Sequence, residues 1–137
     1  LAREASAQAQ GRQFPDQVQG IPLGQKARRL HFLHGTGWTV DEGVEVGRYV
    51  IHYADGKTEV LPLLYGRDLR DWWVDGLSRP PANAVVAWAG ATPGGERVCI
   101  YHRVWENPFP DREIASLDFV STRTMCAPFL IAVTAEP

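Results

Sequence analysis

Between Val46 and Leu63 the chain alternates side chains on both sides of a single Asp55-Gly56, and that rhythm with that turn points to an antiparallel hairpin. In the first arm, Val46 to Ala54, residues Tyr49, Ile51 and Tyr53 face one way and Val50 and His52 the other. The return arm is Lys57 to Leu63. Asp-Gly tolerates the positive φ angles of a type I′ turn, the connection that best matches the twist of two paired strands.

The same period of two recurs from Phe14 onward. Ala27 to His34 sets Leu30 and Phe32 against His31 and Leu33, and Gly35-Thr36-Gly37 interrupts it. Ala84 to Ala89 and Arg97 to Trp105 form a second hairpin through Gly90 to Glu96, where Thr92-Pro93-Gly94-Gly95 reverses the chain. Asn107-Pro108-Phe109-Pro110 lacks an amide donor at both prolines, so it is expected as an extended link outside the sheet ladders. Ile114 to Ser121 and Pro128 to Thr134 are the closing strands. Thirteen Gly and ten Pro supply the many reversals such short elements require, and no segment offers three amphipathic helical turns. About eight strands in this arrangement predict an all-β fold of two packed antiparallel sheets, a β-sandwich.

At 137 residues the chain fits one domain, with no internal repeat or dividing linker. Its formal charge of −2 gives no electrostatic footprint for nucleic acid. No apolar run approaches the roughly 20 residues of a membrane helix. The start at Leu1, followed by an Ala/Gln-rich stretch to Gln10, reads as a processed or excised piece. Residues 1–13 are expected as a tail or incomplete first element, and 14–137 as a single sandwich domain. Ala5-Ser6-Ala7 has the small-x-small form of a signal-peptidase site but lacks the apolar stretch that should precede it. Cys99 and Cys126 supply neither a disulfide framework nor zinc-site spacing; they are two buried thiols, or one bridge between neighbouring strands, which would imply an oxidising compartment.

Motifs of catalysis are missing from the sequence. Neither a G-x-S-x-G elbow nor a phosphate loop occurs, and no cofactor is implied. His31, His34, His52 and His102 are spread over three strands and read as polar strand positions rather than metal ligands. Asp68, Asp71, Glu106, Asp111 and Glu113 lie in non-strand excursions, where glycoside cleavage would need two acids flanking one bond. Each has an ordinary role instead: Asp68 and Asp71 stand beside Arg67 and Arg70, and Asp111 follows a proline. No catalytic residue is therefore assigned.

Two stretches combine aromatic with charged side chains. Tyr65, Arg67, Arg70, Asp71, Trp72 and Trp73 form one, and Trp105, Glu106 and Asn107 the other. Indoles stack on the apolar faces of sugar rings, while Arg, Asp, Glu and Asn pair with hydroxyls through planar hydrogen bonds. These nine residues are the candidate ligand contacts. In the competing reading Trp72 and Trp73 plug one end of the sandwich while Arg67 and Asp71 lock the loop. Adjacent tryptophans in an extended segment point opposite ways, so one is expected in the core and one outside.

The runs Gly47-Arg48-Tyr49-Val50-Ile51-His52-Tyr53-Ala54-Asp55-Gly56 and Tyr65-Gly66-Arg67-Asp68-Leu69-Arg70-Asp71-Trp72-Trp73 resemble the galactose-binding-like β-sandwich modules of bacterial envelope and secreted multidomain proteins. The stretch Trp105 to Ser121 looks like the link and penultimate strand of the same modules, and with Leu30 to His34 the likeness covers most of residues 18–134. The resemblance implies a jelly-roll and a non-catalytic accessory role. Such modules carry one or two further N-terminal strands before the segment matched by Phe14 to Leu23, so it also implies a missing first strand.

The function expected is a non-catalytic carbohydrate-binding or accessory module of a larger extracytoplasmic protein, its partners a polysaccharide or glycan and the other domains of the parent. A structural or protein-interaction domain of a cell-surface signalling or scaffold protein is the alternative. A glycoside-hydrolase fragment comes third, since it would need an acid of raised pKa facing a cleft.

Overall fold

A computed structural model describes residues 1–4, 13–76 and 79–137, and among them there are eight strands and no helix. In chain order these are β1 (Gln17–Lys26), β2 (Arg29–Gly37), β3 (Glu45–Tyr53), β4 (Thr58–Leu64), β5 (Ala84–Ala91), β6 (Arg97–Glu106), β7 (Glu113–Ser121) and β8 (Ala127–Glu136). They form two antiparallel four-stranded sheets, ordered β1-β7-β3-β4 and β5-β6-β2-β8. The chain is an all-β sandwich.

Alternation places the core. Leu30 and Phe32 of β2 pack inward against Tyr49 and Ile51 of β3 and Leu117 and Phe119 of β7. The rings of Phe32 and Tyr49 lie nearly parallel with centroids 4.2 Å apart, and Phe119 tilts onto Tyr49 at 4.9 Å. Truncating such a buried ring to Ala costs about 3–5 kcal/mol, because the transfer energy is lost and a cavity remains.

Both expected hairpins form, β3 with β4 and β5 with β6. The first turn differs from the type I′ expectation. Gly56 N–H bonds to the Tyr53 carbonyl at 3.0 Å, and Lys57 C=O accepts from Tyr53 N–H at 2.8 Å. Gly56 alone takes a positive φ, +89°, while Asp55 does not. Asp55 instead accepts Lys57 N–H on its carboxylate at 3.0 Å. That bond favours a three-residue loop with glycine in the left-handed position over the two-residue turn.

His34 shares the inward phase of Leu30 and Phe32 and is fully buried. Its Nε2 bonds to the Asp68 backbone carbonyl at 2.8 Å and its Nδ1 to the Tyr49 hydroxyl at 2.8 Å. A carbonyl only accepts, so Nε2 carries the proton and Nδ1 accepts from Tyr49. Asp68 is buried too, its carboxylate held by Arg103 Nε of β6 and by Leu64 N–H. One network thus ties β2, β3, β6 and the loop after β4.

Cys99 and Cys126 are free, separate, buried thiols. Cys126 donates to the Trp38 carbonyl at 3.2 Å, and burial pushes its pKa up to about 11. Of the tail expected over 1–13, residues 5–12, including Ala5-Ser6-Ala7, lie outside the described residues. Leu1–Glu4 docks on the sandwich: the N-terminal ammonium donates to Pro128 C=O, Ala2 N–H to Pro15 and Glu4 N–H to Thr124.

Burial lowers the His34 pKa from 6.5 to about 4. The unfolded chain therefore takes up this proton first as pH falls, so the stability His34 supports is complete above about pH 6.5 and declines between 6.5 and 4. The full loss across that window is roughly 3 kcal/mol. Urea unfolding of wild type and His34→Gln at a series of pH values isolates the effect: the difference between the two curves should bend in that window, and parallel curves would refute it.

Candidate functional site

The loop between β4 and β5 carries the first aromatic stretch, and its backbone is fastened at many points. Gly66 N–H bonds to Leu69 C=O, and Arg67 and Asp68 N–H both bond to Leu64 C=O, which closes a tight turn. Farther along, Arg70 to Val74 runs as a short extended segment wedged into the second sheet. Thr36 N–H bonds to Arg70 C=O at 3.2 Å and Trp72 N–H to Thr36 C=O at 2.8 Å on the β2 side. On the β6 side Cys99 N–H bonds to Trp72 C=O at 2.8 Å and Val74 N–H to Arg97 C=O at 2.9 Å. The loop is thereby part of the sheet, and its backbone is fixed by ladder bonds on both sides.

As expected for neighbours in an extended segment, the two tryptophans diverge. Trp72 is half-buried with its ring edge-on to Phe129, and Trp73 stands out at 44% exposure. Their rings meet at 77° with centroids 6.1 Å apart. A third indole joins them that sequence reasoning missed. Trp38, 50% exposed, follows β2 at φ +64°. That left-handed angle is strained for so bulky a residue. The Arg3 guanidinium lies over its ring at 3.5 Å.

Asp71 ties two of the three, Trp73 and Trp38, together. Its carboxylate accepts Trp73 N–H at 3.2 Å and also a backbone bond from Trp38. Burial raises its pKa above the ordinary 3.8, with those two bonds pulling the other way and Asp75 adding to the rise. On one side of Asp71 and Trp73 is an apolar groove of about 470 Å³ lined also by Gly37, Trp38 and Trp72. On the other is a polar cleft of about 600 Å³ whose lining includes Glu42, Tyr65, Arg70, Asp75 and Arg79. Trp73 is the wall between them. Both volumes fall in the range of small-ligand sites.

The charged residues pair over long range rather than with their neighbours. Asp68 is neutralised by Arg103, not by Arg67 or Arg70. Arg70 bonds to Glu42 from the β2–β3 connection, and its guanidinium lies 5.8 Å from the Tyr65 ring. Arg67 is exposed on the tight turn, where its carbonyl receives Asn83 N–H.

Trp105, Glu106 and Asn107 lie elsewhere. Arg29 pairs with Glu106 at the start of β2, whereas Thr36 meets Asp71 near its end. Seven residues of strand put about 24 Å between them. Trp105 packs against the core, Glu106 is in an exposed ion pair with Arg29, and Asn107 is buried. The Asn107 amide oxygen accepts from the Tyr53 hydroxyl at 2.5 Å and from Phe109 N–H, and its nitrogen donates to Ala27 C=O at 2.7 Å. This closes the corner between β6 and β7. The Tyr53 hydroxyl, buried there, is pushed up to about 12.

Among the described residues no group of three or more His, Cys, Asp and Glu side chains is arranged to hold a metal ion. His31, His52 and His102 are part-exposed on outer sheet faces; His31 contacts His102 and Glu136, and His52 contacts Asp118. Compared with known proteins, the chain matches no family model, no curated protein and no solved structure.

The Asp71→Ala change should cost about 1–2 kcal/mol, since two backbone donors lose their acceptor. It should also weaken the tryptophan bands of the near-ultraviolet circular dichroism, and Asp71→Asn, which keeps one acceptor, should restore most of the signal. An unchanged spectrum in the alanine variant would mean that Asp71 does not set the indoles.

Proposed function

We propose that the chain is a non-catalytic carbohydrate-binding module, of the galactose-binding-like jelly-roll kind, in a larger extracytoplasmic protein. The observation that carries this reading is the pair of half-exposed indoles, Trp38 and Trp73, on an apolar groove that adjoins a polar cleft across two shared residues, Asp71 and Trp73. Sugars are two-faced ligands: axial and ring C–H groups form apolar patches, and equatorial hydroxyls radiate from the rim. An indole wall beside carboxylates and guanidinium groups answers both surfaces at once. Trp38, Trp72 and Trp73 supply the stacking platform; Asp71, Arg70, Glu42 and Tyr65 supply the hydroxyl partners.

Asp68 is held by Arg103 and Glu42 by Arg70, which suits orienting a ligand rather than cleaving it. Asp71 accepts two backbone amides yet has a raised pKa beside Asp75 on the same cleft, so it is the acid that a hydrolase reading would use. Affinity is expected to be modest, a Kd of roughly 0.1–1 mM, because an open site orders side chains and ligand for few contacts.

Intrinsic tryptophan fluorescence titrated with neutral and acidic polysaccharides tests the reading. Trp73→Ala and Trp38→Ala should each weaken the response about tenfold or more, and Glu106→Ala, at the far end of the sandwich, should leave it unchanged. A folded protein with no response to any glycan would overturn the proposal.

A further inference from the structure

The four sheet edges of the sandwich are treated very differently. At β1 the ladder shifts register twice, between Val18 and Ile21 and between Pro22 and Gln25. Gly20 and Gly24 there take positive φ angles, and Lys26 ends the strand. At β4 the edge carries Pro62, with no amide to donate, and Glu59. At β8 Ile131 is an extra residue opposite Leu33 and His34, and Glu136 closes the strand in ion pairs with Arg28 and Arg29. Prolines, bulges and charges are the devices that keep an open edge from pairing with another chain.

β5 carries few of these devices. Its eight residues, Ala84-Val85-Val86-Ala87-Trp88-Ala89-Gly90-Ala91, include neither charge nor proline. It hydrogen-bonds to β6 on one side and is the end of its sheet on the other. It also overhangs the sandwich. Val85 and Trp88 pair with His102 and Ile100 on the outer face and are 60% and 53% exposed, while Val86, opposite the buried Tyr101 on the inner face, is still 48% exposed. One irregularity, at Ala87, leaves arms of regular strand on both sides. Gly90 has a purpose here: the Trp88 indole folds over it, within 2.5 Å of where a Cβ would stand. The ring lies along the strand instead of across the edge.

We propose that β5 is the site of self-association, pairing antiparallel with β5 of a second copy of this chain about a two-fold axis and joining two four-stranded sheets into one of eight strands. Antiparallel pairing about a dyad brings a strand against its own sequence, so any charge on it meets a like charge nearby. The lack of charge in Ala84–Ala91 removes that penalty, whereas Glu59 of β4 or Lys26 of β1 would incur it. A strand of another protein would meet the same uncharged edge, and a chain that stays monomeric on its own is the outcome that would point to one. Valine and tryptophan facing each other across the dyad are favourable cross-strand neighbours, and the unpaired backbone groups of both edges are satisfied together. This association is independent of the aromatic grooves.

Sedimentation velocity over a wide concentration range is the primary test. Wild type should pass from monomer to dimer with rising concentration, and the dissociation constant should change little between low and high salt, because no ion pair is made. Val86→Lys and Trp88→Lys, both at exposed positions, should weaken the dimer roughly tenfold or more. Val60→Lys, on the exposed side of β4, is the matched control and should not. If a lysine variant fails to fold, amide hydrogen exchange of the wild type decides instead: protection of β5 should rise with concentration while that of β4 stays constant. A chain that remains monomeric at the highest concentration, or a dimer broken by Val60→Lys and not by Val86→Lys, would overturn the assignment.

Discussion

The buried contact of His34 with the Asp68 carbonyl holds the rest of the structure in place. His34 projects from β2 into the space between the sheets, accepts a hydrogen bond from the Tyr49 hydroxyl of β3 and donates one to the Asp68 carbonyl of the loop. The Asp68 carboxylate then reaches Arg103 on β6. A buried polar group without a partner is costly, so each of these four residues constrains the other three. The outcome is a loop whose position relative to both layers is fixed by hydrogen-bond geometry that apolar packing alone would not specify.

From that anchor the aromatic site follows. Leu69 is buried immediately after Asp68, and the chain then enters the second sheet as a short insert between β2 and β6. Alternation within the insert sends Trp72 toward Phe129 and Trp73 outward, and the Asp71 carboxylate closes back onto the amides of Trp73 and Trp38. The exposed indoles are therefore carried by ladder bonds, where a free loop would have to be ordered by its ligand at an entropic cost.

Strands and hairpins were legible because their signals are local: alternation in Val46–Ala54, a turn at Asp55-Gly56, prolines at 108 and 110. Two adjacent tryptophans diverging in an extended segment could be read the same way. What escaped depended on partners distant in the chain. Arg67 and Arg70 stand next to Asp68 and Asp71 in sequence, yet Asp68 turns to Arg103 and Arg70 to Glu42. Trp105 to Asn107 also sets an aromatic beside polar side chains, but the antiparallel register carries it to the other end of the sheet. Trp38 gave one available sign, a large aromatic directly after Gly35-Thr36-Gly37 where a strand should stop. His34 also had a sign that the histidine grouping obscured, since its parity with Leu30 and Phe32 places it inward.

The insert from Arg70 to Val74 occupies space that would otherwise let β2 and β6 zip together along their whole length, so the second sheet is forked at this end. A fork of this kind fixes how many residues the prong contains: one more or one fewer would reverse which indole faces the solvent. Exchanging side chains on a prong of constant length would therefore change the lining of the groove without changing which indole faces the solvent.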